Sequence, residues 1–584
     1  MPTINSVSCC FTENEKSLLS RGNISLEQSG FTLKYGERPV WEGTIPMPQF
    51  EHMQILLNQM CEADGWTRDD VRAALLPKKR TTLELFHDLP FPLLVDLYGL
   101  TQGAALFAEG LHEVETVFHA FFRKHPYSNA GYSIVGGIDY VQEFLKNYIF
   151  TTEALDCLSL KRAGSGRSER PLFSDKYLNY LSTMRFCADI DAVPEGTVMG
   201  ATAPIMRFGG TILQGLLIEG GGLSFVNSQS SIMTKAARIL QAAPGGLFSE
   251  QSLRRSFGFE ASLAGALACY KAGFNTTSNV MGDYLFGIPS SGTMAHAFVM
   301  FFDEEMDAFL RYAETFPDDA LFLVDTYNTK NGIKTAIIAA KKLQEKGRKL
   351  VGIRLDSGDL AYLSKLARQM LDEAGLQYVK IFASNSLDED SISSLMAQGV
   401  PIAAWGVGEQ IGGCKLLSGV WKVGGIFNSD KTIKRVCKIA DVMGKATNPG
   451  FLGLRRYYDE NGFIADAIYD ELKGIDPQQD VEIFNPEGTT ASKVIPKDTK
   501  FQDILEPISR DGVSVKETPS LDEVRKYVGE QLAGLSPETK DPKNGYPYPV
   551  GAVADVHGLK LAKMHRAKGT KPLDLTKYFA EADG

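Results

Sequence analysis

Four continuous apolar runs stand out between about Gly210 and Val420: ALFLVDTYNT, KLVGIRLDSGDL, YVKIFASNSLDE and PIAAWGVGEQIG. Each ends in polar or glycine residues, and the first three lead into helix-like stretches such as KTAIIAAKKLQEKG and AYLSKLARQMLDEAG. Apolar runs without polar alternation, each followed by a helix, predict parallel strands covered by helices. Asp325, Arg354, Ser384 and Gly406, one at the end of each run, are 29, 30 and 22 positions apart, the spacing of βα units in a barrel or an open sheet. In both architectures the C-terminal strand ends share one face where ligands bind, which gathers Asp325, Arg354, Asp356, Asn385 and Gly406 around one pocket.

Other patterns flank this array. A helix between Trp66 and Leu76, opened by Thr67-x-x-Asp70 at capping-box spacing, is the one clear element of the first 80 residues. From Thr81 to about Gly200, short apolar runs alternate with helical patterns and read as an α+β domain. After Val420 the chain becomes rich in strands and loops, with a hairpin in LRRYYDENGFIADAIYDE turning at Asn461-Gly462. A helix capped by Ser520-x-x-Glu523 follows, and the tail PKNGYPYPVG suits an extended segment lying over the surface. The expected organisation is an extension of unknown role (1–80), an N-terminal α+β domain (81–205), an α/β barrel bearing the site (206–425) and a strand-rich C-terminal segment packed on the N-terminal domain (426–584).

Composition narrows the class. The 584 residues, 44% hydrophobic and 23% charged, can bury a large core. Their formal charge of -10 has the wrong sign for wrapping nucleic acid, so an anionic ligand must be met by local arginines, backbone amides or a metal. The eight cysteines form no CxxC pair and have no histidine at zinc-finger spacing. The acidic N-terminal residues, the lack of an apolar signal region and the absence of any run of membrane-spanning length imply a reducing, cytoplasmic setting with no membrane partner.

Several segments could carry chemistry. RLDSGDL, from Arg354 to Leu360, puts a guanidinium, two carboxylates, a hydroxyl and a glycine amide within one strand-to-helix turn. There an arginine can hold phosphate while Asp356 and Asp359 hold ribose hydroxyls or a metal; the bland alternative is a solvated loop with a capping aspartate. GVGEQIGG has one residue too many for a dinucleotide fingerprint, but Gly406 and Gly408 would let backbone N–H groups approach an anion. No GxxxxGK[ST] motif occurs. His296 follows small residues that leave room for a phosphoryl group, although a lone histidine is more often structural. Arg254 and Arg255 could anchor a carboxylate or simply be solvated, and Tyr98 could stack on an aromatic ring or pack in a core.

Taken together, VDLYGLT, FFRKHP, DIDAVPEGTV, TKAARI, SLRRSFG, GFNTTSNVMG, GTMAHAFV, LVDTYNT, GIRLDSGDLAYLSK, ASNSLDE, WGVG and YPYPV resemble, in this order over roughly residues 81 to 555, the nicotinate phosphoribosyltransferase family. The resemblance implies a type II phosphoribosyltransferase: an N-terminal α+β domain joined to an irregular α/β barrel, assembled as a homodimer. It implies transfer of phosphoribosyl from PRPP to nicotinate, giving nicotinate mononucleotide and pyrophosphate in NAD salvage, coupled to ATP through a phosphohistidine at His296. Mg²⁺ or Mn²⁺ would accompany PRPP and ATP, with no ligand set assigned. His296, Arg354 and Asp356 take the catalytic roles. Asp325, Arg354, Asp356, Ser357, Gly358, Asp359, Ser384, Asn385, Gly406 and Gly408 are expected around PRPP. Tyr98 from the partner subunit, Arg254, Ser278 and Thr293 are expected around nicotinate. Ser278 is informative, because related nicotinamide-using enzymes place an aspartate there, which would repel a carboxylate.

The chain departs from the family pattern at Gln251, where a phenylalanine is expected, at Ala297, where a serine follows the histidine, and at Glu409, where a hydroxyl normally meets PRPP. Glu409 adds an anion near phosphate unless it turns away or binds metal. Alternatives are a phosphoribosyltransferase for quinolinate or nicotinamide, a weakened relative kept for binding or assembly, and, last, an NAD-dependent dehydrogenase.

Overall fold

The computed structural model describes residues 79–86, 88–127, 129–164, 169–440, 445–485 and 491–567, together with the backbone of two N-terminal strands. The helix expected between Trp66 and Leu76 lies outside the described residues. The chain divides into two compact units, one of Met1–Lys79 with Val280–Gly287 and one of Arg80–Asn279 with Ile288–Gly584. In the first, Phe31–Tyr35 pairs antiparallel with Arg38–Gly43, a hairpin that the sequence reading did not anticipate.

The second unit carries the parallel sheet that the apolar runs announce. Its six strands lie in the order Thr276–Thr277, Leu247–Glu250, Ala404–Val407, Lys380–Ala383, Gly352–Leu355 and Leu321–Leu323, and every neighbouring pair is parallel. The sheet curls into a half-barrel within a mixed α/β fold, the irregular α/β architecture expected. The helices Thr329–Glu345, Leu360–Glu373 and Glu389–Ala397 each follow a strand, and their N-caps Asn328, Asp359 and Asp388 accept backbone N–H bonds at the strand-end face. Burial on both faces explains the unbroken apolar runs: Leu321–Leu323 is wholly buried, and Phe309 stacks on Phe322 at 4.5 Å between ring centres. A parallel bridge from Thr277 to Ser290 extends the sheet, and the chain after Ser290 crosses to Thr293 and His296, which bond across to residues of the opposite edge.

A second, antiparallel sheet mixes distant parts of the chain. Its order is Ile433–Arg435, Gly419–Phe427, Glu115–Phe122, Pro204–Thr211, Asp189–Ala192, Glu506–Arg510 and Val513–Ser514. The C-terminal region supplies a third sheet that includes the expected hairpin, Leu452–Asp459 with Gly462–Asp470; Gly462 sits at φ +122°, a conformation that suits glycine. Ser520 caps Leu521–Ala533 with Glu523 completing the box. The tail departs from its expected surface course. Val550–Val553 is an internal strand between Val481–Phe484 and Gly462–Asp470, and Tyr548 is buried with its hydroxyl donating to Asp466 at 2.8 Å. The prolines end before this strand begins, so they guide the chain to the sheet without disrupting the ladder.

Candidate active site

The C-terminal ends of the parallel strands hold one hydrogen-bonded cluster built around Arg354, the third residue of Gly352–Leu355. Its guanidinium donates from Nε to Ser384 Oγ at 2.8 Å, from Nη1 to Thr293 Oγ1 at 3.0 Å and from Nη2 to Asp356 Oδ1 at 2.9 Å. Ser384 also donates to Asp356 Oδ1. Three directions of the planar fork are thereby fixed before any ligand arrives, which a flexible ammonium could not achieve. Burial opposes the charged form of Asp356, but the Ser384 hydroxyl, the Arg354 guanidinium and His296 together hold its carboxyl below the usual carboxylate range. Asp356 is therefore an acceptor throughout the neutral range.

His296 opens the short helix His296–Met300, half-exposed, with Nδ1 3.1 Å from Thr326 Oγ1 and Nε2 3.7 Å from Asp356 Oδ2. Asp325 braces the next turn: its Oδ2 accepts from the Asp356 backbone N–H at 2.9 Å and the Ser357 hydroxyl at 2.6 Å. Its Oδ1 is buried with no hydrogen-bond partner. That free oxygen suits a hard divalent cation, which takes one or two carboxylates and draws its remaining ligands from water and substrate phosphate. Among the described residues no group of three or more His, Cys, Asp or Glu is placed to hold a metal ion.

The remaining sequence-selected residues fall around this cluster in distinct ways. Asn385 and Ser386 both have positive φ, +103° and +44°, after the Lys380–Ala383 strand, strain of the kind found in loops shaped for a ligand. Gly358 turns the Arg354 loop at φ +79°. Asp359 accepts from the Tyr362 N–H at 3.0 Å as a helix cap, so the capping alternative holds for one of its oxygens. Gly406 and Gly408 are small for a reason beyond phosphate. A Cβ on Gly406 would meet the Gln251 amide at 2.7 Å, and one on Gly408 would meet the Gln251 carbonyl oxygen at 2.5 Å. Glu409, the residue that seemed poised to repel phosphate, has its Oε2 bound by the Ser386 hydroxyl at 3.2 Å.

Arg254 lies exposed on the 3-10 turn Leu253–Arg255 just after Leu247–Glu250, and Ser278 follows the neighbouring strand Thr276–Thr277 with its N–H on the Glu250 carbonyl at 2.8 Å. Tyr98 is not brought to the cluster. It projects, 43% exposed, from Leu97–Ala108, where burial together with Glu219 and Asp96 pushes its phenol up to about 12. Thr326 and Glu250 escaped the sequence reading. Thr326 was legible only as part of the VDTYNT motif, and no local signal distinguishes Glu250 from any other strand residue.

Comparisons with known proteins bear on this geometry. Residues 93–227 match the nicotinate phosphoribosyltransferase (NAPRTase) N-terminal domain, residues 247–412 the nicotinate phosphoribosyltransferase (NAPRTase) family, and residues 453–560 the nicotinate phosphoribosyltransferase C-terminal domain. Nicotinate phosphoribosyltransferase of Bacillus subtilis (strain 168) is 35% identical over 495 residues, 83% of this chain and 97% of the relative. Nicotinate phosphoribosyltransferase pncB2 of Mycobacterium tuberculosis (strain ATCC 25618 / H37Rv) is 34% identical over 480 residues, 81% and 94% of the two chains. The crystal structure of human nicotinic acid phosphoribosyltransferase matches in fold with a TM-score of 0.68 at 22% identity, covering 80% of this chain and 99% of that one. Nicotinate-nucleotide pyrophosphorylase from Pyrococcus furiosus follows with a TM-score of 0.57 at 21% identity, covering 76% and 95%.

Proposed function

The chain belongs to the nicotinate phosphoribosyltransferase family, and from that membership we propose that it transfers the 5-phosphoribosyl group of PRPP to nicotinate, with ATP hydrolysis coupled through a phosphohistidine at His296. The observation that carries the reading is the Arg354 guanidinium bonded at once to Thr293, Ser384 and Asp356, with His296 on the far side of the same aspartate. In the transfer, the ring nitrogen of nicotinate donates its lone pair to C1 of the ribose while the bond from C1 to the diphosphate oxygen breaks, and that electron pair leaves with pyrophosphate. The transition state resembles an oxocarbenium ion, so the protein's task is to align the two partners and neutralise the leaving group.

Arg354 supplies fixed positive charge toward the diphosphate, Asp356 and Asp359 accept from ribose hydroxyls, and the turns at Ser357, Gly358, Ser384, Asn385, Gly406 and Gly408 receive the phosphate ends. A bound Mg²⁺ would add charge to the diphosphate, with Asp325 as the protein carboxylate that has an oxygen to spare. On the acceptor side, Arg254 and Thr293 hold the nicotinate carboxylate and ring, Ser278 keeps the pocket free of an opposing anion, and Tyr98 of a second subunit stacks on the ring. Thr326 at Nδ1 of His296 leaves Nε2, the nitrogen beside Asp356, to take the γ-phosphoryl of ATP with release of ADP. The resulting dianion lies near the Arg354 cluster and can reorder it, which is how ATP energy improves substrate capture.

The same reading makes the protein a cytoplasmic homodimer with the site in residues 206–425, flanked by 81–205 and 426–584 and preceded by an extension at 1–80. Incubating the purified protein with nicotinate, PRPP and Mg²⁺, with and without ATP, tests it. Mass spectrometry is expected to find nicotinate mononucleotide, in greater yield with ATP. Absence of that product under both conditions, or equal use of quinolinate or nicotinamide, would overturn the assignment.

A further inference from the structure

We infer that Glu250 is the positioning residue of the acceptor pocket: its buried carboxylate ties the turn carrying Arg254 to the turn carrying Ser278. This rests on the proposed nicotinate site and identifies what holds its two walls in register. Glu250 ends the Leu247–Glu250 strand and is 1% exposed, and among the described residues it makes no ion pair. An unpaired carboxylate at such depth is costly to bury unless hydrogen-bond donors are fixed on it, and here they come from both neighbouring turns.

One oxygen, Oε1, accepts from the Ser252 backbone N–H, and Ser252 in turn accepts the Arg255 N–H at 2.7 Å, closing the 3-10 turn that presents Arg254. The other, Oε2, accepts from the Thr277 hydroxyl at 2.5 Å, and that same hydroxyl oxygen accepts the Asn279 N–H at 3.0 Å, which fixes the backbone on both sides of Ser278. The Glu250 carbonyl completes the clamp by accepting the Ser278 N–H at 2.8 Å. Every strong acceptor of this residue is thus spent on the two turns that flank the acceptor pocket, and none on the Arg354 cluster. The Ser252 N–H can only donate, so Oε1 must accept, whereas the Thr277 hydroxyl is able to donate or accept. A leucine removes both acceptors, leaving the buried Ser252 N–H unpaired and the Thr277 hydroxyl without its anchor, and so releases both turns.

This division separates the acceptor from the donor side of the reaction. Glu250→Leu is expected to raise the KM for nicotinate at least roughly tenfold while kcat and the KM for PRPP stay within about threefold of wild type. Hydrogen exchange should quicken at residues 251–256 and 277–279 and not at 352–357. Thr277→Val should reproduce the kinetic effect and Thr277→Ser, which keeps the hydroxyl, should restore wild-type kinetics; this pair gives the answer if the leucine variant does not fold. A nicotinate KM unchanged in folded Glu250→Leu and Thr277→Val, or both KM values rising together, overturns the inference. Failure of the underlying reading is told apart by the wild-type protein, which would then form no nicotinate mononucleotide at all, whatever the exchange rates of the variants.

Discussion

Arg354 and His296 differ in how much of their role the chain order reveals. RLDSGDL places the guanidinium two residues from Asp356, so their 2.9 Å contact follows from a strand running into a turn. The other two arms reach Thr293 and Ser384, which lie 61 and 30 residues away, and only the fold brings them in. Asp359 shows the opposite limit, because a capping aspartate and a ligand-binding one look alike in sequence; here one oxygen caps a helix. At His296 the surrounding small residues were a hint, whereas the contact with Thr326 was invisible. If the imidazole carries the phosphoryl group, His296→Ala should remove ATP stimulation while some ATP-independent transfer remains, since Arg354, Thr293, Ser384 and Asp356 bond to one another without it. Product yield and ADP release, followed together in the variant, give the check. ADP formation that persists in strict proportion to nicotinate mononucleotide would place the phosphoryl carrier elsewhere.

The βα rhythm was legible at the scale of elements because strands buried on both faces cannot alternate polar and apolar residues. Sheet order was not. Leu247–Glu250 pairs with Ala404–Val407, more than 150 residues later, and no local pattern encodes that choice. The glycines at the end of Ala404–Val407 show what was missed. Gly406 and Gly408 are expected at phosphate from sequence, and the fold shows a task that the pattern does not, admitting the Gln251 turn from the adjacent strand. Gln251 is itself pinned by its N–H on the Val407 carbonyl at 2.8 Å, so neither backbone can yield easily. Gly408→Ala is therefore expected to destabilise the fold by about 1–3 kcal/mol, the usual cost of overpacking, and to weaken PRPP binding as the turn shifts. Gly413→Ala is a matched control, because its nearest atom would be 3.4 Å away. Thermal unfolding and the KM for PRPP, measured on both variants, check the contrast.

Within the larger unit, long-range pairing braids the C-terminal region into the rest; the expectation that 426–584 packs on the N-terminal domain named none of the contacts. Arg207 holds Asp191 at 2.8 Å within its own sheet and donates to the Leu452 carbonyl at 3.2 Å, and Arg456 donates to Asp466 and to the Val198 carbonyl, each at 2.8 and 2.7 Å respectively. Asp191 and Asp466 lie only 16 and 10 positions from the arginines they neutralise, but the same guanidiniums also reach Glu471 and the Val198 carbonyl, 264 and 258 positions away, and nothing in a linear pattern announces those partners. The same scale decides where Tyr98 acts. Its helix packs on Ile212–Leu217 and its phenol faces Glu219, so within one chain it does not join the Arg354 cluster. Phe257, Phe301 and Tyr327 stand 87%, 81% and 64% exposed and lie close in sequence to Arg254, His296 and Thr326, apolar groups available to a second copy. If that copy brings Tyr98 across a two-fold axis, each complete site needs Arg354 from one subunit and Tyr98 from the other. Tyr98→Ala and Arg354→Ala chains should then each be nearly inactive alone, yet co-expression should restore about a quarter of wild-type activity. Half of the randomly formed dimers are hybrids, and each hybrid assembles one intact site and one doubly defective site. A co-expressed mixture no more active than its parents would mean that Tyr98 is not supplied across the interface, and the acceptor ring would have to stack on an aromatic group of its own chain.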